Sequence, residues 1–129
     1  MNQLLLSVIE SPMHPNFSSL YRQLDIEEIR LGSQRKAISQ IKSVKPDYIV
    51  ADFMYGYGNN YAGVNISNLD VLLYSMQKYC RDTGIIVFVD KSEAQYVDKL
   101  NDILPLSAVM TYPVNETQMK AVLTTTNNG

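Results

Sequence analysis

Hydrophobic residues follow two alternating patterns along the chain. Short apolar runs, typical of buried strands, alternate with stretches in which apolar residues recur every three or four positions, typical of helices that cover a sheet. The five candidate strands are 4–9, 28–31, 48–51, 85–89 and 107–112. The third and fourth are the most apolar, whereas the second is half polar. The pattern therefore predicts a chain of five β-α units.

Each candidate strand is followed by a candidate helix with a polar residue at its start. The expected N-caps are Asn16, Ser33, Ser67 or Asn68, Ser92 and Asn115. Pro46 is expected to stop the second helix and Gly84 to end the third, and residues 124–129 are expected to fray. The positions expected to face the core are Phe17, Leu20, Tyr21, Leu24, Ala37, Ile38, Ile41, Val44, Leu69, Leu72, Leu73, Met76, Tyr79, Ala94, Val97, Leu100, Ile103, Leu104, Met119, Val122 and Leu123.

Strands that are apolar throughout and alternate with helices are typical of an α/β fold, in which helices cover both faces of a parallel sheet. Because crossovers are right-handed, a (βα)5 chain is most economically a doubly wound, flavodoxin-like five-stranded sheet of order 2-1-3-4-5. A length of 129 residues predicts one domain over 1–129. In such folds ligands bind at the carboxyl ends of the strands, near the first and third strands.

The charge balance narrows the classes of partner. Eleven Lys and Arg against 13 Asp and Glu give a net charge of −2, which predicts binding neither to nucleic acid nor to an anionic membrane surface. No apolar run reaches the roughly 18–20 residues of a membrane span, and the first six residues lack the basic start of a signal peptide. The single cysteine, Cys80, cannot form an intrachain disulfide and is expected to be a small buried hydrophobe. We therefore expect a cytoplasmic protein.

Three acidic residues end the first, third and fourth candidate strands, and these are Glu10, Asp52 and Asp90. Because these strands are neighbours in the predicted order, the carboxylates could share one edge of the sheet and bind Mg²⁺ or Ca²⁺. Asp52 could equally be a strand-end residue that accepts hydrogen bonds from loop N–H groups, and Asp90 a solvated loop acid. No cofactor is otherwise predicted.

The loop after the first strand, 11–16, contains no glycine, which argues against a phosphate-cradling turn and against flavin binding. It does contain His14, the only histidine, between Pro12 and Pro15. An isolated surface histidine is usually neither a phospho-acceptor nor a base, so His14 is expected to have no such role.

Two segments of the chain resemble receiver domains of two-component response regulators. In 45–54, KPDYIVADFM, a Pro-Asp pair precedes an apolar strand that ends in Asp52, which resembles the receiver segment that ends in the phospho-accepting aspartate. In 111–114, TYPV, the segment resembles the receiver's closing Lys-Pro-aliphatic run. The resemblance implies a receiver fold, with Asp52 as the phospho-acceptor candidate and docking through the fourth helix, fifth strand and fifth helix. The polar candidates on that surface are Gln95, Lys99 and Lys120.

The chain departs from the receiver pattern at the positions that hold Mg²⁺ and the phosphoryl group in receivers. Receivers hold Mg²⁺ with two acidic residues after the first strand, but here Glu10 is flanked by Ile9 and Ser11. The hydroxyl residue expected at the end of the fourth strand is replaced by Val89 or Asp90, and the lysine of the fifth strand by Tyr112. Because phosphoryl transfer depends on charge stabilisation, these changes predict a degenerate receiver. Tyr112 is expected either to plug the pocket or simply to pack at the strand end.

The segment after Asp52 is unusually long and rich in tyrosine. About 14 residues separate strand and helix, compared with 2–6 in most such loops. Tyr55, Tyr57 and Tyr61 alternate there with Gly and Asn, a composition used in recognition loops. These tyrosines are expected either to form a partner-binding surface or to pack down on the sheet edge.

Three functions are therefore compatible with the sequence. The favoured one is a non-catalytic receiver-like signalling module that docks to another signalling protein or to a second copy of itself. The second is a working receiver in which Asp52 is phosphorylated and Glu10 helps to hold Mg²⁺. The third is a cation or small-molecule binder at the carboxyl edge of the sheet.

Overall fold

The computed structural model describes residues 3–56 and 67–127, except for the side chains of 125–127. Its centre is a five-stranded sheet in which every neighbouring pair of strands is parallel. The strand order is β2-β1-β3-β4-β5, as the sequence predicts. The strands are β1 Gln3–Val8, β2 Ile26–Leu31, β3 Tyr48–Asp52, β4 Gly84–Val89 and β5 Ala108–Thr111.

Helices connect the strands and cover the two faces of the sheet. They are α1 Ser18–Gln23, α2 Gln34–Ile41, α3 Asp70–Tyr79, α4 Ala94–Val97 and α5 Glu116–Asn127. Two 3₁₀ turns, Lys91–Glu93 and Asp98–Asp102, flank the short α4. We call this irregular connection, residues 91–102, the α4 segment.

Successive residues of β4 belong to two different cores. Ile85 and Val87 pack with buried residues of α2, α3 and the α4 segment, whereas Ile86 and Phe88 pack with those of α1 and α5. This division follows from the strand geometry, since successive side chains point to opposite faces. The expected core positions of α3 and of the α4 segment lie in the first core, apart from partial exposure of Tyr79 and Ala94.

Polar side chains start several helices as the sequence predicts. Ser33 accepts a hydrogen bond from the Lys36 N–H, the N-cap arrangement expected for α2. At α5, Asn115 and Gln118 each accept a hydrogen bond from the other's backbone N–H, which satisfies two otherwise unpaired donors.

Some helix boundaries were predicted wrongly. Neither Ser67 nor Asn68 is the N-cap of α3, which begins only at Asp70 because Ser67 and Asp70 pair with each other in a tight turn. Asp90 rather than Ser92 caps the α4 segment: its carboxylate accepts hydrogen bonds from the Ser92 N–H and hydroxyl.

Helix ends also differ from the prediction. α2 ends at Ile41, before Val44, and α5 extends to Asn127. Gly84 begins β4 and does not end α3: a Cβ there would lie 3.1 Å from the Ser107 Oγ, so the close approach of two chain segments favours glycine at this position.

In the part of the chain that the structure describes, no helix combines the length and the apolar character that crossing a membrane requires.

Candidate functional site

Asp52 is the last residue of β3 and is completely buried. Its strand lies between β1 and β4, with Ala51 opposite Val8 and Asp52 opposite Phe88. This register brings the loop that follows β1 and the residue that follows β5 to the Asp52 carboxylate. The site therefore lies where the doubly wound topology places functional groups.

Four hydrogen-bond donors surround the Asp52 carboxylate. The backbone N–H groups of Glu10 and Ser11 donate to Oδ2 over 2.9 and 3.1 Å. The His14 Nδ1 lies 2.9 Å from Oδ2 and 3.0 Å from Oδ1, and the Tyr112 hydroxyl donates to Oδ1. A carboxylate has about four lone-pair sites, so these donors together saturate it.

The surroundings of Asp52 favour its ionised form. Burial alone would raise the pKa of this carboxyl. The hydrogen bond and charge interaction with His14, and the hydrogen bonds from Tyr112 and the Glu10 N–H, outweigh burial and leave the pKa below its ordinary value. Because an ionised carboxylate only accepts hydrogen bonds, the His14 Nδ1 must carry the proton that is donated to it.

Tyr112 lies against the Asp52 carboxylate on the β5 side. Its ring packs edge-on against Phe88, with 6.3 Å between ring centroids. Burial, together with the hydrogen bond to Asp52 and the charge of that carboxylate, raises the pKa of the phenol well above its ordinary value of 10.0. The hydroxyl therefore keeps its proton at neutral pH and can donate it to Asp52. The phenol brings no positive charge to the pocket.

His14 is the site residue that sequence reasoning missed. Its side chain is only 2% exposed and its ring lies 5.1 Å from that of Phe88, so it is not a surface histidine. The signal that could have identified it is topological: His14 lies in the loop after β1, and the carboxyl ends of β1 and β3 are adjacent in the predicted strand order.

Glu10 contributes its backbone N–H to the pocket, whereas its carboxylate is used elsewhere. The carboxylate Oε1 accepts hydrogen bonds from the Gln34 Nε2 over 3.1 Å and from the Asn68 Nδ2 over 3.0 Å. The same Asn68 amide also donates to the backbone carbonyl oxygen of Asp52 over 2.8 Å. Glu10 and Asp52 are therefore joined through Asn68.

The structure does not bring Glu10, Asp52 and Asp90 together as a cation site. Asp90 is exposed, and its carboxylate accepts hydrogen bonds from Ser92, which keep its pKa below the ordinary value. Among the described residues, no group of three or more His, Cys, Asp or Glu side chains is arranged to hold a metal ion. The expected cluster does not form, because each of the two outer carboxylates has other partners. The Asp90 carboxylate caps the α4 segment, and the Glu10 carboxylate accepts hydrogen bonds from Asn68 and Gln34.

The other candidate residues lie at the surface or outside the described part. Tyr55 is 49% exposed and its ring stacks on that of Tyr96, whereas Tyr57 and Tyr61 fall outside the described residues. Gln95, Lys99 and Lys120 are exposed. Cys80 is buried, as expected, and its burial raises the pKa of the thiol.

Comparison with known proteins identifies the fold. No protein-family model and no curated sequence matches the chain. A beryllofluoride-activated DrrB receiver domain matches with a TM-score of 0.75 and 13% identity over 100% of both chains. The receiver domain of sensor histidine kinase PA1611 from Pseudomonas aeruginosa, with magnesium in its active-site cleft, gives a TM-score of 0.71 and 11% identity over 100% of both chains.

A third solved structure carries a modified aspartate. It is a response regulator from Burkholderia pseudomallei with a phosphorylated aspartic acid, calcium and citrate, and it matches with a TM-score of 0.64 and 17% identity over 95% of this chain and 65% of its own. These likenesses show that the chain has the fold of response-regulator receiver domains.

Proposed function

We propose that this receiver-fold chain is a signalling module without phosphoryl-transfer chemistry, which acts by docking to another signalling protein or to a second copy of itself. The Asp52 pocket would then hold the domain in one state instead of switching it by phosphorylation. The observation that carries the proposal is the saturation of the Asp52 carboxylate by four donors from this same chain.

Saturation opposes phosphorylation for two physical reasons. A carboxylate attacks phosphorus with an oxygen lone pair, and here the hydrogen bonds of both His14 and Tyr112 involve Oδ1. Freeing that oxygen would break the hydrogen bond that the half-buried Tyr112 hydroxyl donates to a charged group, and such bonds contribute about 1.5–3 kcal/mol. In addition, Tyr112 supplies no cation to stabilise the transferred group, the main contribution that a protein makes to this reaction.

Docking is supported by the exposure of polar side chains on both sides of an edge strand. β5 is at the edge of the sheet, with the α4 segment on one face and α5 on the other. Gln95 and Lys99 lie on the first of these elements and Lys120 on the second, all exposed. Receiver domains use the corresponding surface to pair, and we assign the same use to this chain.

The phosphorylation part of the proposal is tested with beryllofluoride, which mimics a phosphoryl group on a receiver aspartate. The experiment compares thermal midpoints of the purified protein in Mg²⁺, in Mg²⁺ with fluoride, and in Mg²⁺ with beryllofluoride. A ligand that binds only the folded state raises the midpoint, so we expect no rise here. A DrrB receiver domain serves as the positive control.

A rise of the midpoint that Asp52→Asn abolishes would overturn the proposal in favour of the second function, a working phospho-acceptor. The Tyr112→Lys variant tests whether the tyrosine is the reason that the protein does not respond to beryllofluoride. If it gains a response to beryllofluoride that the unmodified protein lacks, the tyrosine itself blocks the pocket.

A further inference from the structure

We propose that a cavity at the amino edge of the sheet binds a small molecule that carries a phosphate group. The cavity has a volume of about 370 Å³ and is lined by residues 45–47 and 77–83, and we call it the amino-edge cavity. Because β3 begins at Tyr48 and β4 at Gly84, it lies at the opposite end of the strands from the Asp52 pocket. The inference therefore does not depend on the proposed function.

Three cationic side chains line the amino-edge cavity, and each comes from a different part of the chain. Lys45 precedes β3, Lys78 is in the last turn of α3, and Arg81 lies in the connection from α3 to β4. In the described part of the chain, the ion pairs involve none of these cations. Lys78 and Arg81 also lie near the negative end of the α3 dipole, but that end is equivalent to only about half a charge. The cavity therefore gathers positive charge that is not paired with a carboxylate of the described chain.

Two aspartates line the same cavity, and the cations outnumber them. The Asp47 Oδ2 accepts a hydrogen bond from the Leu4 N–H over 2.8 Å, so this carboxylate is bound to the start of β1. Asp82 is exposed and follows Arg81 directly. Three cations and two carboxylates give the lining side chains a net charge of +1, whereas the whole protein has a net charge of −2. The balance at this cavity favours an anion.

Hydrogen bonds between the two lining segments hold the floor of the cavity in place. The Thr83 Oγ1 donates to the Pro46 carbonyl over 2.6 Å, and the Gly84 N–H donates to the Asp47 carbonyl over 2.9 Å. Thr83, Pro46 and Cys80 are buried beneath the charged side chains. A cavity whose walls are already ordered loses little entropy when a ligand binds, which favours binding of a small molecule.

A phosphate group matches the three cations in charge and in number of acceptors. A phosphate monoester carries about −1.5 to −2 charges at pH 7 and three strong acceptor oxygens, whereas a carboxylate carries one charge and two oxygens. The planar Arg81 guanidinium is suited to bind two phosphate oxygens at once. The volume is near the lower end of the range of about 300–1,000 Å³ that is usual for ligand pockets. It therefore suits a small phosphorylated molecule.

The site is tested by titrating the ¹⁵N-labelled protein with inorganic phosphate, with chloride used to keep the ionic strength constant. In ¹H–¹⁵N NMR spectra we expect saturable shifts of the Gln77, Arg81 and Thr83 amides. The amides of Glu10 and Ser11, which bind Asp52, should stay in place. Glycerol 3-phosphate should give the same pattern as phosphate, and glycerol should give none.

Two sets of variants show whether the lining charges are responsible. Lys45→Gln combined with Arg81→Gln should weaken phosphate binding by about tenfold or more, because each cation can donate a charge-assisted hydrogen bond. The matched control, Lys99→Gln combined with Lys120→Gln, removes the same charge from exposed lysines outside the cavity and should leave the affinity unaltered. Asp82→Asn should tighten binding, and a gain of affinity cannot result from partial unfolding.

Three results would overturn the inference. One is the absence of saturable shifts, or shifts confined to the Glu10 and Ser11 amides. Another is an equal loss of affinity in the control double variant, which would indicate a general effect of net charge. The third is tighter binding of succinate than of phosphate at the same ionic strength, which would assign the cavity to a carboxylate ligand.

Discussion

At the scale of single residues, the Asp52 carboxylate determines the character of the pocket. It is buried, ionised and surrounded by donors from the segment after β1 and from the residue after β5. A buried charge is costly unless its hydrogen-bonding sites are occupied, and here the protein itself occupies them. A receiver that binds Mg²⁺ and a phosphoryl group must instead keep those sites available.

The Tyr112 hydroxyl should contribute measurably to stability. Tyr112→Phe removes one donor to a buried charge, and we expect the free energy of unfolding to fall by about 1.5–3 kcal/mol. Urea denaturation followed by circular dichroism measures the change. The control is Tyr74→Phe, at a residue of α3 that is 58% exposed, which should leave stability unaltered. Equal effects of the two substitutions would contradict the role assigned to Tyr112.

Asp52 should make stability depend on pH in the acid range. Its pKa is lower in the folded protein than its ordinary value of 3.8, so the unfolded chain binds the proton more tightly. The stabilisation is therefore complete above that ordinary value and is lost as the pH falls through the folded pKa below it. Urea denaturation at a series of pH values should show a smaller acid loss in Asp52→Asn than in the unmodified protein. Parallel pH profiles for the two proteins would refute this.

At the scale of elements, local sequence determines the helix starts only where no competing partner is near. Ser33 caps α2 as expected because its hydroxyl has the Lys36 N–H within reach. Ser67 and Asn68 are equally good capping residues by type. They do not cap α3 because Ser67 binds Asp70, while the Asn68 side chain binds Glu10, Asp52 and Met54.

The α2 cap provides a prediction at this scale. Ser33→Ala leaves the Lys36 N–H without its partner, and we expect the free energy of unfolding to decrease by about 1 kcal/mol. The matched control is Ser39→Ala, an exposed serine within the same helix that should cost nothing, since alanine is the better helix former. The result is measured by urea denaturation, and a control as destabilising as Ser33→Ala would argue against the cap.

At the scale of the whole molecule, the strand order decides which surfaces and which pocket exist. Placing β1 between β2 and β3 brings the loop that carries His14 over the end of β3. Placing β5 at the edge leaves Val109 of that strand 43% exposed, between the α4 segment and α5. Neither consequence can be seen within a single β-α unit.

The proposed docking surface is tested by reversing charge on both sides of β5. If the protein pairs with a second copy through this surface, Lys99→Glu combined with Lys120→Glu should weaken association by about tenfold or more. Two like charges placed opposite each other across an interface cost more than about 1.4 kcal/mol, which corresponds to that factor. Sedimentation velocity over a concentration series measures this. The control is Lys42→Glu, at an exposed lysine that follows α2, a helix that contacts β1, β2 and α3.

If the partner is a different protein, photo-cross-linking from position 95 identifies it. That partner is then purified and its binding to this chain is measured. The same two lysine substitutions should weaken that binding. A monomer at every concentration, together with a partner whose affinity the substitutions leave unaltered, would exclude this surface.

The sequence by itself determined the sheet, because its strands are apolar enough to require cover on both faces and its helices repeat with the right period. It also pointed to Asp52, which ends the third apolar strand, and, through the resemblance to receiver domains, to Tyr112. Strand 28–31 was located from only a few apolar positions, and the structure extends it to Ile26.

Only the tertiary structure decided which partners these residues have. His14 looked isolated because its partner, Asp52, is 38 residues away along the chain. Asp90 and Glu10 looked like members of one cluster because each ends a neighbouring strand, yet each carboxylate binds donors close to it, on Ser92 and on Gln34 and Asn68. A carboxylate accepts from whichever donors lie within about 3 Å, and those distances are set only when the elements pack.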